Sequence, residues 1–284
     1  MKNSPSARKV MESLPRGKGM GIFSPGPHCL AKPTASWFAL LKNREDAGWS
    51  RVAWSVAIYC SFLAAMVFVP NVAQAQTDAE RAALVALYDA TGGDNWTENA
   101  NWKSEEPVGE WYGVTVENGA VTEIYLHSNN LRGELPSEIG NLTRLEGLNL
   151  GDNSLSGAIP ATIGNLTSLE VLYLRLNSLS GAIPAEIANS TSLEVLVLDN
   201  NSLSGAIPTE IGNLTNLRRL DLFNNSLSGA IPATIGNLTR LEELDLGHNF
   251  TGAIPAEIWN LTRLVELSLG GNFTGAIPAE IGNL

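Results

Sequence analysis

One phrase returns along this chain at a fixed interval, and that interval limits the fold more than any other feature. The phrase L-x-x-L-x-L-x-x-N-x-L-x-G-x-I-P-x-x-I-G-N-L-T-x starts at Leu145 and again at Leu169, Leu193, Leu217 and Leu241, every 24 residues. A weaker copy precedes it at Val121, and a seventh at Leu264 breaks off at Leu284. A period of this length implies a solenoid, because one unit is too small to bury its own apolar side chains and must stack on its neighbours. In Leu148-Asn149-Leu150 the leucines alternate with a variable residue, the two-residue period of a strand. Stacking such strands about 4.8 Å apart gives a parallel sheet over a continuous apolar interior.

The rest of the phrase brings the chain round to the next strand. Gly157-Ala158-Ile159-Pro160 is read as a turn, since glycine tolerates unusual backbone angles and proline fixes φ while giving up a donor at an edge. Ile163 and Leu166 are expected to point back into the core from a short helical or irregular stretch on the convex side. Asn153 recurs as Asn129, Asn177, Asn201, Asn225, Asn249 and Asn272. A buried amide at that corner is costly unless it bonds backbone, so the column predicts an asparagine ladder that satisfies turn amides between coils.

This phrase resembles the plant-type leucine-rich repeat, found in the ectodomains of plant receptor kinases and in related bacterial and algal proteins. The match runs from Val121 to Leu284, and its L-x-G-x-I-P element is specific to that class. The resemblance implies an α/β fold: a right-handed curved solenoid with a concave parallel β-sheet, a helical and hairpin N-terminal cap, and a second set of short strands near L-x-G-x-I-P. Two departures stand out. Asn249-Phe250-Thr251-Gly252 and Asn272-Phe273-Thr274-Gly275 are one residue shorter than Asn225-Ser226-Leu227-Ser228-Gly229, so a change of local twist is expected there. The sequence also stops inside a repeat, where a solenoid needs a polar cap, which suggests a longer parent protein or a partner covering that end.

Residues 76–120 read as the N-terminal cap. Thr77-Asp78-Ala79-Glu80 has the form of a capping box, Leu84, Leu87 and Tyr88 share one face of the helix that follows, and Gly92-Gly93 ends it. Asn118-Gly119 predicts a hairpin whose second strand is also the strand of the first repeat. Trp96, Trp102 and Trp111 are expected to form a hydrophobic lid on the first coil, the alternative being a sugar-stacking platform. Trp111-Tyr112-Gly113-Val114 resembles the W-x-G-V element of the plant cap, in which cysteines stand two residues to either side. Here Gly109 and Val116 occupy those positions, so the cap is expected to lack that disulfide.

Upstream, Arg51, an apolar run from Val52 to Val69, Pro70 and Ala73-Gln74-Ala75 follow the basic, apolar and A-x-A order of a secretory signal over residues 51–75. An uncleaved signal anchor is the competing reading, and would be the chain's only link to a membrane. Residues 1–50 form an extension with no assigned role. Cleavage after Ala75 would place the protein in the periplasm, outside the cell or on its surface. Both cysteines, Cys29 and Cys60, precede residue 76, so the body can form neither a disulfide nor a thiolate site. Residues 1–75 carry nine basic and three acidic side chains, which leaves −17 for the rest of a chain whose net charge is −11. Nucleic-acid binders need a positive footprint, so nucleic acid is excluded as a partner class.

Nothing in the body calls for an enzyme or a cofactor. His127 and His248 lie five repeats apart, about 24 Å at strand spacing, too far to share a metal ion. No Gly-rich phosphate loop or nucleophile elbow occurs. Glu186, Glu210, Glu257 and Glu280 recur at one convex position and read as a solvated face. The sequons at Asn141, Asn165, Asn213, Asn237 and Asn260 belong to the repeat phrase, which accounts for them without glycosylation.

Residues that break the repeat while pointing out of the sheet are the candidate binding residues. Two strand columns carry them, and aromatic and arginine side chains are favoured interface anchors. The candidate patch is Tyr125, Tyr173, Arg175, Val197, Asp199, Asp221 and Phe223. The function expected is recognition of a protein or peptide on the concave face. The alternatives are a structural or adhesive envelope scaffold and the ectodomain part of a receptor-like kinase.

Overall fold

The computed structural model describes residues 72–247, 250–270 and 272–273. The extension, nearly all of the signal-type segment, His248, Asn249 and Glu280 therefore lie outside the described residues.

The strand pattern in the leucine phrase becomes one large sheet. A hairpin of Val114–Glu117 and Ala120–Tyr125 opens it, and one three-residue strand per coil extends it: Gly147–Asn149, Val171–Tyr173, Val195–Val197, Arg219–Asp221, Glu243–Asp245 and Glu266–Ser268. The eight strands lie in chain order, and all pairs after the hairpin are parallel. Leu148 pairs with Leu172, Leu172 with Leu196, and Leu196 with Leu220, so equivalent leucines form an unbroken interior row. Glu243 pairs with Glu266, a step of 23, so the shorter sixth repeat keeps this register and absorbs its missing residue elsewhere. Leu145, Leu148, Leu150, Leu155, Ile163 and Leu166 are all fully buried in a single core that runs from the cap through the coils.

On the opposite side each I-P step among the described residues starts a five-residue 3-10 helix, such as Ala161–Asn165 after Pro160, whose φ of −67° suits a helix entry. The second set of strands implied by the resemblance is present, as at Arg132–Glu134, Ser154–Ser156 and Ser202–Gly205. In the 24-residue coils its pairs connect residues 22 apart, Ser154 with Arg132 and Ser226 with Ser204, whereas the large sheet there pairs residues 24 apart. Between these strands and the large sheet the asparagine ladder forms as expected. Asn177 Nδ2 donates to the carbonyls of Leu150, Leu174 and Arg175, each at 3.1 Å, and its Oδ1 accepts from the Leu155 N–H at 2.9 Å. Asn153, Asn201 and Asn225 repeat the pattern, and Asn129 ties the first coil to the cap through both backbone groups of Glu98.

The cap corrects one expectation. Its helix spans Val72–Ala90, so Thr77 lies within the helix and cannot be the N-cap of a capping box. Glu80 is instead buried, with only 1% of its surface exposed, and accepts a hydrogen bond from the Val121 N–H across 41 residues. This carboxylate lies on the buried side of the helix and faces the backbone of the first coil. The helix ends as expected, with Gly92 in the left-handed region at φ 68°. Asn118 and Gly119 likewise take positive φ of 50° and 76°, the backbone of a type I′ hairpin turn. Trp96, Trp102 and Trp111 are buried, their rings 4.8 and 5.1 Å apart in sequence, and each indole N–H donates to a backbone carbonyl. With no free ring face they close the first coil, and the sugar-platform alternative falls. A Cβ built on Gly109 would stand 3.4 Å from Val116 Cβ, so the two positions that carry cysteines in the plant cap are neighbours here too.

Candidate functional site

Since Leu148 and Leu150 point inward, the residues at 147, 149 and 151 of each coil must share the open face of the large sheet. The expected patch used only the last two of these columns. The first column adds Val171, Val195, Arg219 and Glu243, and the strand period alone could have found them.

The seven expected residues do not all stand free. Tyr125 is 49% exposed and lies beside His127, the ring centroids 6.2 Å apart. Tyr173, Arg175, Asp221 and Phe223 are half-buried. Val197 and Asp199 are buried, which corrects their reading as exposed contacts. Val197 is the short side chain between Tyr173 and Asp221 in register, so its longer neighbours shield it. Asp199 is closed over by Asn200 Nδ2 at 2.6 Å and the Arg175 guanidinium at 3.5 Å, both on the same oxygen, Oδ2. Its Oδ1 is buried without a hydrogen-bond partner.

Charge is concentrated in the middle coils. Arg219 lies between Asp221 at 3.0 Å and Glu243 at 3.3 Å. Along the sheet margin Arg218 reaches Glu242 at 2.8 Å and Glu194 at 3.4 Å. Burial raises the Asp221 carboxyl pKa, the Asp199 charge raises it further, and the bond from Arg219 only partly offsets them. Burial also pushes the Tyr173 phenol up. Glu170, at the margin, is raised by burial and by the like charges of Glu146 and Glu194. Such a face can offer aromatic area, hydrogen-bond donors and carboxylates to a partner. Among the described residues no group of three or more His, Cys, Asp or Glu is arranged to hold a metal ion, and no helix is long and apolar enough to cross a membrane.

Known proteins share this architecture. The family model "Leucine-rich repeat region" matches residues 124–228 and "Leucine rich repeat" matches residues 215–272, together more than half of the chain. A probable leucine-rich repeat receptor-like protein kinase of Arabidopsis thaliana is 45% identical over 56 residues, 19% of this chain and 6% of that protein. Among solved structures, the Arabidopsis receptor kinase HAESA, in complex with the peptide hormone IDA and the co-receptor SERK1, is 32% identical. It has a TM-score of 0.66 over 72% of this chain and 35% of its own. A plant ice-binding protein is 29% identical, with a TM-score of 0.63 over 70% of this chain and 66% of its own. The chain thus spans about a third of that receptor and a small part of the curated kinase. From the repeat phrase, the stacked coils and these matches, the chain belongs to the leucine-rich-repeat family, in its plant-type class.

Proposed function

We propose that this chain is an exported, non-catalytic recognition module that takes a protein or peptide on the concave, open face of its large sheet. The observation that carries the reading is the contrast between alternate strand positions: the inward position is leucine from Leu148 to Leu172, Leu196 and Leu220, whereas the adjacent outward position changes from Asn149 to Tyr173, Val197 and Asp221. A fixed interior with a changing, partly aromatic exterior is what a scaffold needs to hold one partner. The complex of HAESA with a peptide hormone adds support by likeness. Export rests on the signal-type segment at residues 51–75, and secreted protein beginning at Gln76 would establish it. A screen of the full chain against displayed random peptides should yield binders whose affinity falls at least about tenfold in Tyr173→Ala/Phe223→Ala. The melting temperature should be unchanged. Affinity untouched by the double substitution removes this reading.

A second reading rests on a different surface. The second ladder presents small, uncharged, exposed side chains in repeated register: Ala158 beside Ser180, Ser180 beside Ser202, and Ser204 beside Ser226. Such an array suits a regular lattice, and one neighbour in fold is a plant ice-binding protein. Growth of ice crystals slowed by the full chain, and no longer slowed by Ser180→Tyr/Ser204→Tyr, would favour it over peptide recognition.

A further inference from the structure

Asp199 is an uncommon residue for an open sheet face. It is 3% exposed, its Oδ1 has no hydrogen-bond partner, and the nearest cation, Arg175, is 42% exposed in its side chain and touches only the other oxygen at 3.5 Å. Arg175 is itself incompletely held, since its Nε is buried without a partner. A carboxylate withdrawn from water in this way keeps strong demand for a donor. Asp221 lies in the next coil, one column over, its Oδ2 taken by Arg219 and its Oδ1 by the Phe223 N–H at 3.2 Å. Asp245 follows one coil further, accepting from the Gly247 N–H at 2.9 Å. In this stretch Asp199, Asp221, Glu243 and Asp245 face two arginines, Arg175 and Arg219, so the local balance is negative. The body that presents it carries −17 in all.

Resting on the recognition-module reading, we infer that the partner is a basic peptide or peptide segment, and that one of its cations, a lysine, an arginine or the amino terminus, docks against Asp199 and Asp221 between Tyr173 and Phe223. In the free protein Arg175 acts as an internal stand-in for that cation. The ligand's ammonium or guanidinium group takes its place at Asp199 Oδ2, bridges from there to the unpartnered Oδ1 and meets the aromatic rings on either side. Electrostatic complementarity over the acidic face speeds encounter and rejects acidic competitors.

The test uses the full chain and short fluorescent peptides of repeated Gly-Ser-Lys, Gly-Ser-Gln and Gly-Ser-Glu, read by anisotropy. The lysine probe is expected to bind at least about tenfold more tightly than the glutamine probe, and the glutamate probe not to bind. Asp199→Asn/Asp221→Asn should lose that advantage, whereas Glu186→Gln/Glu210→Gln on the convex side should retain it. Arg175→Ala should tighten the lysine probe several-fold, an outcome that a purely structural Asp199 would not give. Equal binding of the three probes, an equal loss in the convex variant, or weaker binding in Arg175→Ala overturns the inference. If library peptides bind and depend on Tyr173 and Phe223 while Asp199→Asn/Asp221→Asn changes nothing, the cation subsite fails and the recognition reading stands.

Discussion

At the residue scale the asparagine column shows how one side chain can be worth more than a leucine. Asn177 satisfies three carbonyls and one N–H drawn from two adjacent coils, and no neighbouring side chain could replace it. Asn177→Ala leaves these backbone groups unpaired at a half-buried corner, and should cost about 3 kcal/mol. Urea unfolding of the full chain measures it, and a loss below about 1 kcal/mol would mean that water substitutes for the amide. This ladder was legible because a polar residue that recurs beside buried leucines must be bonding backbone if the coil is to stay closed. Glu80 was misread for the converse reason: a carboxylate three residues after a threonine fits a helix start by local pattern. Its actual partner, Val121, is 41 residues away.

At the scale of elements the cap holds a disulfide site without the disulfide. Gly109 and Val116 approach within ordinary bridging distance, since disulfide Cβ atoms lie about 3.8 Å apart and the Cβ built on Gly109 stands at 3.4 Å. Gly109→Cys/Val116→Cys is therefore expected to oxidise to a bridge, with a gain of about 2 kcal/mol from closing so short a loop. Mass spectrometry and melting with and without reductant report it, and a bridge that lowers the melting temperature would show that the cap backbone must distort to form it. Without that covalent link the segment is held by a buried Trp96, Trp102 and Trp111 cluster, whose three indole N–H groups are all bonded. The sixth coil makes a comparable adjustment, losing a residue after Asn249 while the leucine register of the large sheet continues through Leu244 and Leu267.

At the scale of the whole molecule, like charges stacked in register are a cost of repetition. Glu146, Glu170 and Glu194 recur at one position of successive coils, so the fold brings together charges that the unfolded chain keeps apart. Glu170 is consequently raised above its ordinary value of 4.5, first by burial and then by those neighbours. A carboxyl whose folded pKa exceeds its unfolded one binds protons sooner in the fold, so its contribution to stability rises as pH falls toward 4.5 and is lost above the raised pKa. Glu170→Gln should therefore melt slightly higher than the parent at pH 7 and no higher near pH 4, and a constant difference across that range would refute the coupling. Arg218, at the same position one coil on, bonds to Glu194 and Glu242 and interrupts the repulsion.

The sequence by itself determined the period, the strand that each L-x-L supplies, the buried leucine row, the asparagine ladder and the hairpin at Asn118-Gly119. Each follows from local chemistry repeated at one interval. It also determined that positions 147, 149 and 151 face outward, because a strand alternates sides whatever surrounds it. Only the tertiary structure decided which outward side chains are available. Val197 and Asp199 are covered by neighbours one coil away, Tyr173 and Asp221 for one and Arg175 for the other, while Tyr125 in the first coil is left open. Accessibility depends on the sizes and charges of residues 24 positions to either side taken together, and that sum exists only once the coils are stacked.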